Sequence, residues 1–413
     1  MSDAPAFDRR VTPARPDLAA RRLEGVVEAD RYVDGELRRV VAASAPLHRA
    51  PRFDAPLDSE ALAGDLVTIY EETIEGWAWG ELSRDGYVGY LPADMLGPPE
   101  PAPTHRVAAL RTFRYPGPDL KLPALGHLSM GAGVSVVREE ERRGTVYAVL
   151  ANGGGAVIAR HLEPIDARAA DFVAVAERLV GTPYLWGGAT TLGLDCSGLV
   201  QLSLRMAGVA APRDSDQQEA ALGDELPLDA APVDGRRSRL WRGDLLFWPG
   251  HVGLMLDADR LLHASGFHME VVAEAVTEAL TRIAAAGSAL RTVRRMTGVG
   301  VPTTDEADRF FFSSLAWRIN EVIGSGGKAR GALSVDDILP DQRGLGNDTL
   351  DLPGVAFMLG DKAVRFTALL RFTPETAAAF RRGRRSTDFT YDDPSLWLSF
   401  DADRRHLVVT VHR

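Results

Sequence analysis

The 413-residue chain contains a single cysteine. An intrachain disulfide is therefore impossible, and zinc ribbons and iron–sulfur clusters are excluded because each needs several thiolates. No metal or other cofactor is expected. Long apolar runs are also lacking: none approaches the roughly 20 residues that cross a bilayer, so no membrane association is expected. The opening stretch MSDAPAFDRRVTPARPDLAARRLEG has no apolar core segment of the kind that marks a secretory leader. A cytoplasmic location is the expectation. Basic charge is outnumbered, with Lys+Arg 47 against Asp+Glu 57 and a net charge of -10. That argues against a nucleic-acid partner, whose phosphates demand clustered Lys and Arg.

What is present reads as ordinary globular protein, 45% hydrophobic and 25% charged. At about 150 residues per domain, the length predicts roughly three domains. Residues 1–36 are polar, with Pro13 and Pro16, and predict a loose arm with a short helix over 18–31. From 37 to 98 short β-type runs take over: Leu66-Val67-Thr68-Ile69-Tyr70, Trp77-Ala78-Trp79-Gly80-Glu81-Leu82 and Tyr87-Val88-Gly89-Tyr90-Leu91. Glu75-Gly76 and Arg84-Asp85-Gly86 break them, a spacing that predicts a small barrel with Trp77 and Trp79 as packing residues. After the stiff linker Gly97-Pro98-Pro99-Glu100-Pro101-Ala102-Pro103, a weaker copy follows over 104–166. There Val107-Ala108-Ala109 echoes Val41-Ala42-Ala43, Gly133-Val134-Ser135-Val136 echoes Asp65-Leu66-Val67-Thr68, and Ala156-Val157-Ile158 echoes Tyr87-Val88-Gly89. Two tandem barrels are expected.

From 167 to 299 the periodicity is first helical, with Phe172, Val173, Ala176, Leu179 and Val180 in phase until Gly181 and Pro183. Strand-like runs follow. Residues 300–413 predict an α+β module of unidentified type and open role, a protein partner among the options. Its helices are expected at 304–323 and from Thr373-Pro374-Glu375, and its strands at 396–400 and 407–411. Asn152-Gly153-Gly154-Gly155 and Gly324-Ser325-Gly326-Gly327-Lys328 lack the ending of a phosphate loop and read as turns. Arg381-Arg382-Gly383-Arg384-Arg385 reads as a solvated helix end.

The one thiol sits in Leu194-Asp195-Cys196-Ser197-Gly198-Leu199-Val200. Asp195 is a good N-cap, and a helical pattern runs on to Gly208. Cys196 then lies in the first helical turn, where unpaired N–H groups favour a thiolate, the nucleophilic form. Among nine histidines, His251 and His263 share one expected hairpin. A nucleophile needs a base, and the base an orienting group; His251 fits the first role and His263 the second. Side chains alternate faces along a strand, so turn length decides whether the two rings share a face. His268 reads as a bystander.

Six blocks now appear in order: Thr182-Pro183-Tyr184-Leu185-Trp186-Gly187-Gly188, the Cys196 block, Arg213-Asp214-Ser215-Asp216-Gln217, Arg242-Gly243-Asp244-Leu245-Leu246-Phe247, His251-Val252-Gly253-Leu254 and Leu262-His263-Ala264-Ser265. Together they resemble the NlpC family of papain-like cysteine peptidases. With two SH3-like barrels in front, the layout resembles intracellular γ-D-glutamyl-L-diamino acid endopeptidases. The resemblance implies an α+β chain: a papain-like domain over 167–299, SH3-like barrels over 37–98 and 104–166, and the module 300–413 outside it.

The resemblance further implies a hydrolase that cuts between γ-D-Glu and diaminopimelate or Lys, in small peptidoglycan-derived peptides with a free N-terminal L-Ala. Cys196, His251 and His263 would be catalytic, the reaction passing through a thioester. Tyr184 would line the oxyanion site. Asp214 would meet the ammonium, Ser197 and Ser215 the peptide backbone, Arg213 a substrate carboxylate, and Tyr87, ahead of Tyr90, the end of the cleft; Asp195 belongs to the same substrate-binding set. Two other classes remain open, a non-catalytic wall-peptide binder and a papain-like acyl or amide transferase.

Overall fold

The computed structural model describes residues 7–232, 240–257 and 259–296, and the backbone of four later strands. It divides into two compact units, residues 1–228, 242–256 and 260–301 in one and 229–241, 257–259 and 302–413 in the other. The later strands form a sheet in the order Thr349–Leu359, Lys362–Phe372, His406–His412, Ser395–Asp401. The central pair is parallel and the outer two are antiparallel. A register shift between Leu352 and Val355 falls at Pro353-Gly354, where proline has no N–H for the ladder. Both strands expected near the C-terminus lie in this sheet. The helices expected at 304–323 and from Thr373, the Gly324–Lys328 turn and the Arg381–Arg385 patch lie outside the described residues.

In the first unit, residues 36–97 form a seven-stranded antiparallel barrel ordered Leu57–Leu62, Ser44–His48, Val88–Pro92, Trp77–Leu82, Leu66–Glu72, Glu36–Val40, Leu96–Gly97. Alternation puts Leu47, Val67, Leu82 and Leu91 at 0% exposure inside it. Residues 105–164 form three smaller antiparallel sheets. The two modules share their closure. Each has a strand, a 3-10 turn (Ala93–Met95, Ala159–His161) and a short return strand. Gly64 N–H donates to Val40 O and Gly131 N–H to Val107 O, both at 2.9 Å. Val41 and Ala42 donate to Met95 O as Ala108 and Ala109 donate to His161 O. The two modules thus share one pattern of backbone bonding at their closure.

The arm differs from expectation. No α-helix forms over 18–31; Ala19–Ala20 pairs with Tyr32–Val33 and only a 3-10 turn, Arg21–Leu23, lies between. Nor is it loose. Leu18 and Ala20 are buried against Tyr70 and Trp79, and the Arg15 guanidinium stacks 4.4 Å from the Trp79 ring.

The third part carries the thiol. Its helices are α1 (Phe172–Glu177), α2 (Cys196–Met206), α3 (Ser215–Ala221) and α4 (Val276–Ala285). Its strands are β1 (Asp224–Leu226), β2 (Leu245–Trp248), β3 (His251–Met255), β4 (Arg260–Ser265), β5 (Glu270–Ala275) and β6 (Thr292–Arg295), in sheet order β1-β6-β2-β3-β4-β5. Helix α2 packs on this sheet, and Leu199, Val200 and Leu204 share a core with Phe247, Val252, Leu254 and Leu262. Each such side chain contributes about 1.5–3 kcal/mol by leaving water.

Both of the preceding modules fix α2. The buried Asp65 carboxylate pairs with Arg84 and with Arg205 of α2, each at 2.6 Å. Gln201 of α2 donates to Asp85 at 2.9 Å. From the second module, the Arg106 guanidinium donates to Arg205 O and Met206 O at 3.1 and 2.7 Å. That cation satisfies the open carbonyls at the helix C-terminus. Among the described residues no helix is long and apolar enough to cross a membrane.

Candidate active site

The site begins with a cap. The Asp195 side chain accepts from Gly198 N–H at 2.7 Å and from Gly187 N–H at 2.9 Å, which starts α2 and ties it to the preceding loop. Gly198 is needed here, because a Cβ would stand 2.4 Å from Gly188 O. Cys196 therefore opens the helix, 7% exposed, with its thiol donating to Gly250 O at 4.0 Å. It lines a cavity of about 250 Å³ together with Tyr184, Tyr87, Asp214, Ser215 and Arg10.

The hairpin register places both rings on one face. Strands β3 and β4 pair Leu254 with Leu262 and Met255 with Leu261. Extending that ladder sets Gly253 opposite His263 and makes His251 the diagonal neighbour of His263 on the same face. Gly253 leaves the room required, since a Cβ there would lie 3.2 Å from the His263 Cβ. His251 Nε2 and His263 Nδ1 meet at 2.8 Å. Trp248, paired with His251 across β2 and β3, lies with its ring 5.5 Å from the His251 ring. His268 stands outside this pair, hydrogen-bonded to Ser265 Oγ at 3.0 Å.

Burial works against the thiolate expected from the helix end. Burial, and then the neighbouring Asp195 charge, push the Cys196 thiol up to about 12. The N–H groups of Val252 and Ser197 act in the opposite sense, but a helix N-terminus offers only about 0.3–1 kcal/mol. That is too little to offset removing a charge from water. Burial above all, with the Arg282 charge in the same sense, holds the His251 ring down at about 3. Burial thus favours the S–H form of the sulfur and the uncharged form of the ring. Alkylation of Cys196 by iodoacetamide is expected to be slow at pH 7 and to climb about tenfold per pH unit into the alkaline range. A rate already high and flat from pH 5 to 9 would instead reveal a preformed thiolate–imidazolium pair.

Asp214 occupies the N-cap position of α3 without using its side chain as a cap. The carboxylate turns to the cavity, where Tyr87 OH donates to it at 3.0 Å and Arg10 Nη1 at 2.8 Å. Burial raises its proton affinity, against Arg213, Tyr87 and Arg10. Tyr90, the second choice in that loop, instead accepts from Arg15 at 2.8 Å. The Tyr184 hydroxyl, half-buried beside Cys196, is kept protonated chiefly by burial.

Arg213 does not face a substrate carboxylate as the sequence suggests. It is 1% exposed, and all five of its N–H donors are spent: on Ser59 Oγ, Asp195 Oδ1 and Oδ2, Ser197 Oγ and Gly188 O. It is the counter-ion of the α2 cap. The same network holds the Ser197 hydroxyl, which also meets Asp195 at 3.3 Å, and Asp195, Ser197 and Ser215 all line the cavity.

Three functional neighbours had no sequence signal. Arg10 reaches Asp214 from 204 positions away. Glu274 accepts from His263 Nε2 at 2.7 Å, and Arg282 grips both oxygens of Glu274 at 2.6 Å. The Glu274, His263 and His268 ligand-type atoms lie within 4.8 Å of one another, but the carboxylate is already charge-matched by the guanidinium.

Residues 47–96 match the bacterial dipeptidyl-peptidase Sh3 domain and residues 181–285 the NlpC/P60 family. The chain is 28% identical over 244 residues to dipeptidyl-peptidase 6 of Lysinibacillus sphaericus, covering 55% of this chain and 86% of that protein. It is 34% identical over 104 residues to the gamma-D-glutamyl-L-lysine dipeptidyl-peptidase of Bacillus subtilis, covering 23% of this chain and 32% of that one. The crystal structure of an NlpC/P60 family protein from Bacillus cereus shares the fold, with a TM-score of 0.51 at 19% identity over 64% of this chain and 100% of that chain. The order of blocks around the one thiol, the sheet that brings two imidazoles together and these matches agree: the chain is a hydrolase, a cysteine peptidase with an NlpC/P60 domain preceded by a bacterial SH3 domain.

Proposed function

We propose that the protein hydrolyses the bond between γ-D-Glu and a diamino acid, diaminopimelate or Lys, in peptidoglycan-derived peptides whose N-terminal L-Ala is free. The observation that carries this reading is the Asp214 carboxylate, turned away from its helix and into the cavity that also holds Cys196. A peptide ammonium needs a carboxylate partner when it leaves water. Tyr87 and Arg10 close the chain around that carboxylate. A blocked end limits the substrate to a short stretch before the scissile carbonyl, so the product released from the thioester is a dipeptide. The relative named for gamma-D-glutamyl-L-lysine cleavage supports the same bond.

In this reading Cys196 Sγ attacks the γ-carbonyl while the S–H proton passes to His251 Nδ1. His251 then gives that proton to the leaving nitrogen as the C–N bond breaks. Water, deprotonated by the same ring, cleaves the thioester and restores the thiol. His263 orients His251. The N–H groups at the head of α2 and the Tyr184 hydroxyl face the developing oxyanion, and Ser215 meets the dipeptide backbone.

Incubation with L-Ala-γ-D-Glu-diaminopimelate, followed by mass spectrometry, is expected to yield L-Ala-D-Glu and free diaminopimelate. Intact tripeptide after prolonged incubation with stoichiometric enzyme would defeat the reading.

A further inference from the structure

Beyond the two imidazoles the polar chain continues. Glu274 lies on β5, where Leu261 pairs with it and His263 pairs with Val272. Glu274 is therefore the diagonal neighbour of His263 on one face of the sheet, as His263 is of His251. The sequence Nδ1 and Nε2 of His251, Nδ1 and Nε2 of His263, Glu274 and Arg282 forms one line through contacts of 2.8, 2.7 and 2.6 Å. Its far end is anchored: Arg282 rises from α4, holds both carboxylate oxygens, and stacks 4.9 Å from the Phe267 ring.

We propose that Glu274, held by Arg282, is a positioning residue that sets the tautomer of His263 and, through it, that of His251. This rests on the reading of His251 as the base for Cys196.

Protons on this line can be counted. An ionised carboxylate can only accept. Burial pushes the Glu274 carboxyl up, but the hydrogen bonds from His263 and Arg282 overcome it and hold the group at about 2. It is ionised at any working pH. The hydrogen on the His263–Glu274 contact therefore belongs to His263 Nε2. With the His263 ring neutral, it carries one hydrogen, so its Nδ1 is bare and accepts from His251 Nε2–H. His251 Nδ1 is then bare in turn, and that is the lone pair a base needs toward the thiol. Reversing the first link reverses all of them, and His251 would offer Cys196 an N–H instead of a lone pair. Of the charges around the line, Glu274 alone favours the His251 imidazolium, and Arg282 opposes it. His268, the other titratable group beside the carboxylate, already bonds to Ser265 and takes no part in the line.

Glu274→Gln tests the count. Arg282 donates only, so it draws the amide oxygen and leaves the amide NH₂ facing His263 Nε2. The expected result is a change of the His263 15N signals from the Nε2–H to the Nδ1–H tautomer, read by NMR on the full chain without substrate. With it, kcat against the tripeptide falls by about 10²–10⁴ while KM stays within about threefold, and Glu274→Asp recovers part of the loss. Thermal melting of both variants separates this from unfolding. A parent-like His263 tautomer in Glu274→Gln, or kcat within twofold of the parent, overturns the proposal. If the parent protein itself leaves the tripeptide intact, the functional reading fails, and the NMR result still decides the role of Glu274.

Discussion

Cys196→Ala is expected to lower kcat for tripeptide cleavage by about 10⁴–10⁶, with His251→Ala comparable. The reason is that both residues serve one step: the sulfur forms the new bond, and the ring must remove its proton because burial keeps the thiol protonated. Two residues that act as a unit are not additive, so the double variant is expected to be no slower than either single one. The first change does not threaten the fold. Cys196 is a small buried side chain whose cap, Asp195, stays in place, and its loss costs about 1 kcal/mol. The measurement is steady-state hydrolysis alongside thermal melting. Cys196→Ala retaining more than a few per cent of the parent rate at an unchanged melting temperature would remove the nucleophile from the mechanism.

The second large effect concerns the substrate amine. Acetylating the N-terminal L-Ala removes the ammonium and leaves Asp214 without its proposed partner at the closed end of the cavity. Asp214→Asn makes the complementary change on the protein. Each is expected to lower kcat/KM by about 10²-fold, the order found when one member of a partly buried charge pair is lost. The side chain of Asp214 is 23% exposed and shares Arg10, so water and the guanidinium keep the effect below that of a fully buried pair. Coupling is the sharper measurement: in Asp214→Asn the free and acetylated peptides should be cleaved at nearly equal rates. Equal cleavage of both by the parent protein would show that the carboxylate has another task.

Local features were legible in the chain itself. Asp195 as cap, Cys196 in the first turn and the end of the helix near Gly208 follow from rules that act over four or five residues. The Asp-Gly breaks between aromatic runs mark hairpins for the same reason. Misreadings arose where burial decides. Arg213 looks like a substrate ligand because a sequence displays its charge but not the five acceptors around it. A sequence displays the helix end that favours a thiolate but not the burial that opposes it. The arm looks loose because nothing in it shows that Leu18 and Ala20 meet Tyr70 and Trp79.

The amino-acid order alone determined which groups are available: one sulfur, two histidines in one hairpin, and a carboxylate at the head of a short helix. Tertiary structure decided which of them meet. The His251–His263 contact depends on the register of β3 against β4, which a change of one residue in the turn would reverse. The Asp214 pocket joins side chains 127 and 204 positions apart, and Glu274 joins the imidazoles only because β5 lies next to β4. Such meetings depend on the summed packing of whole modules and not on any neighbour along the chain, so no local pattern encodes them.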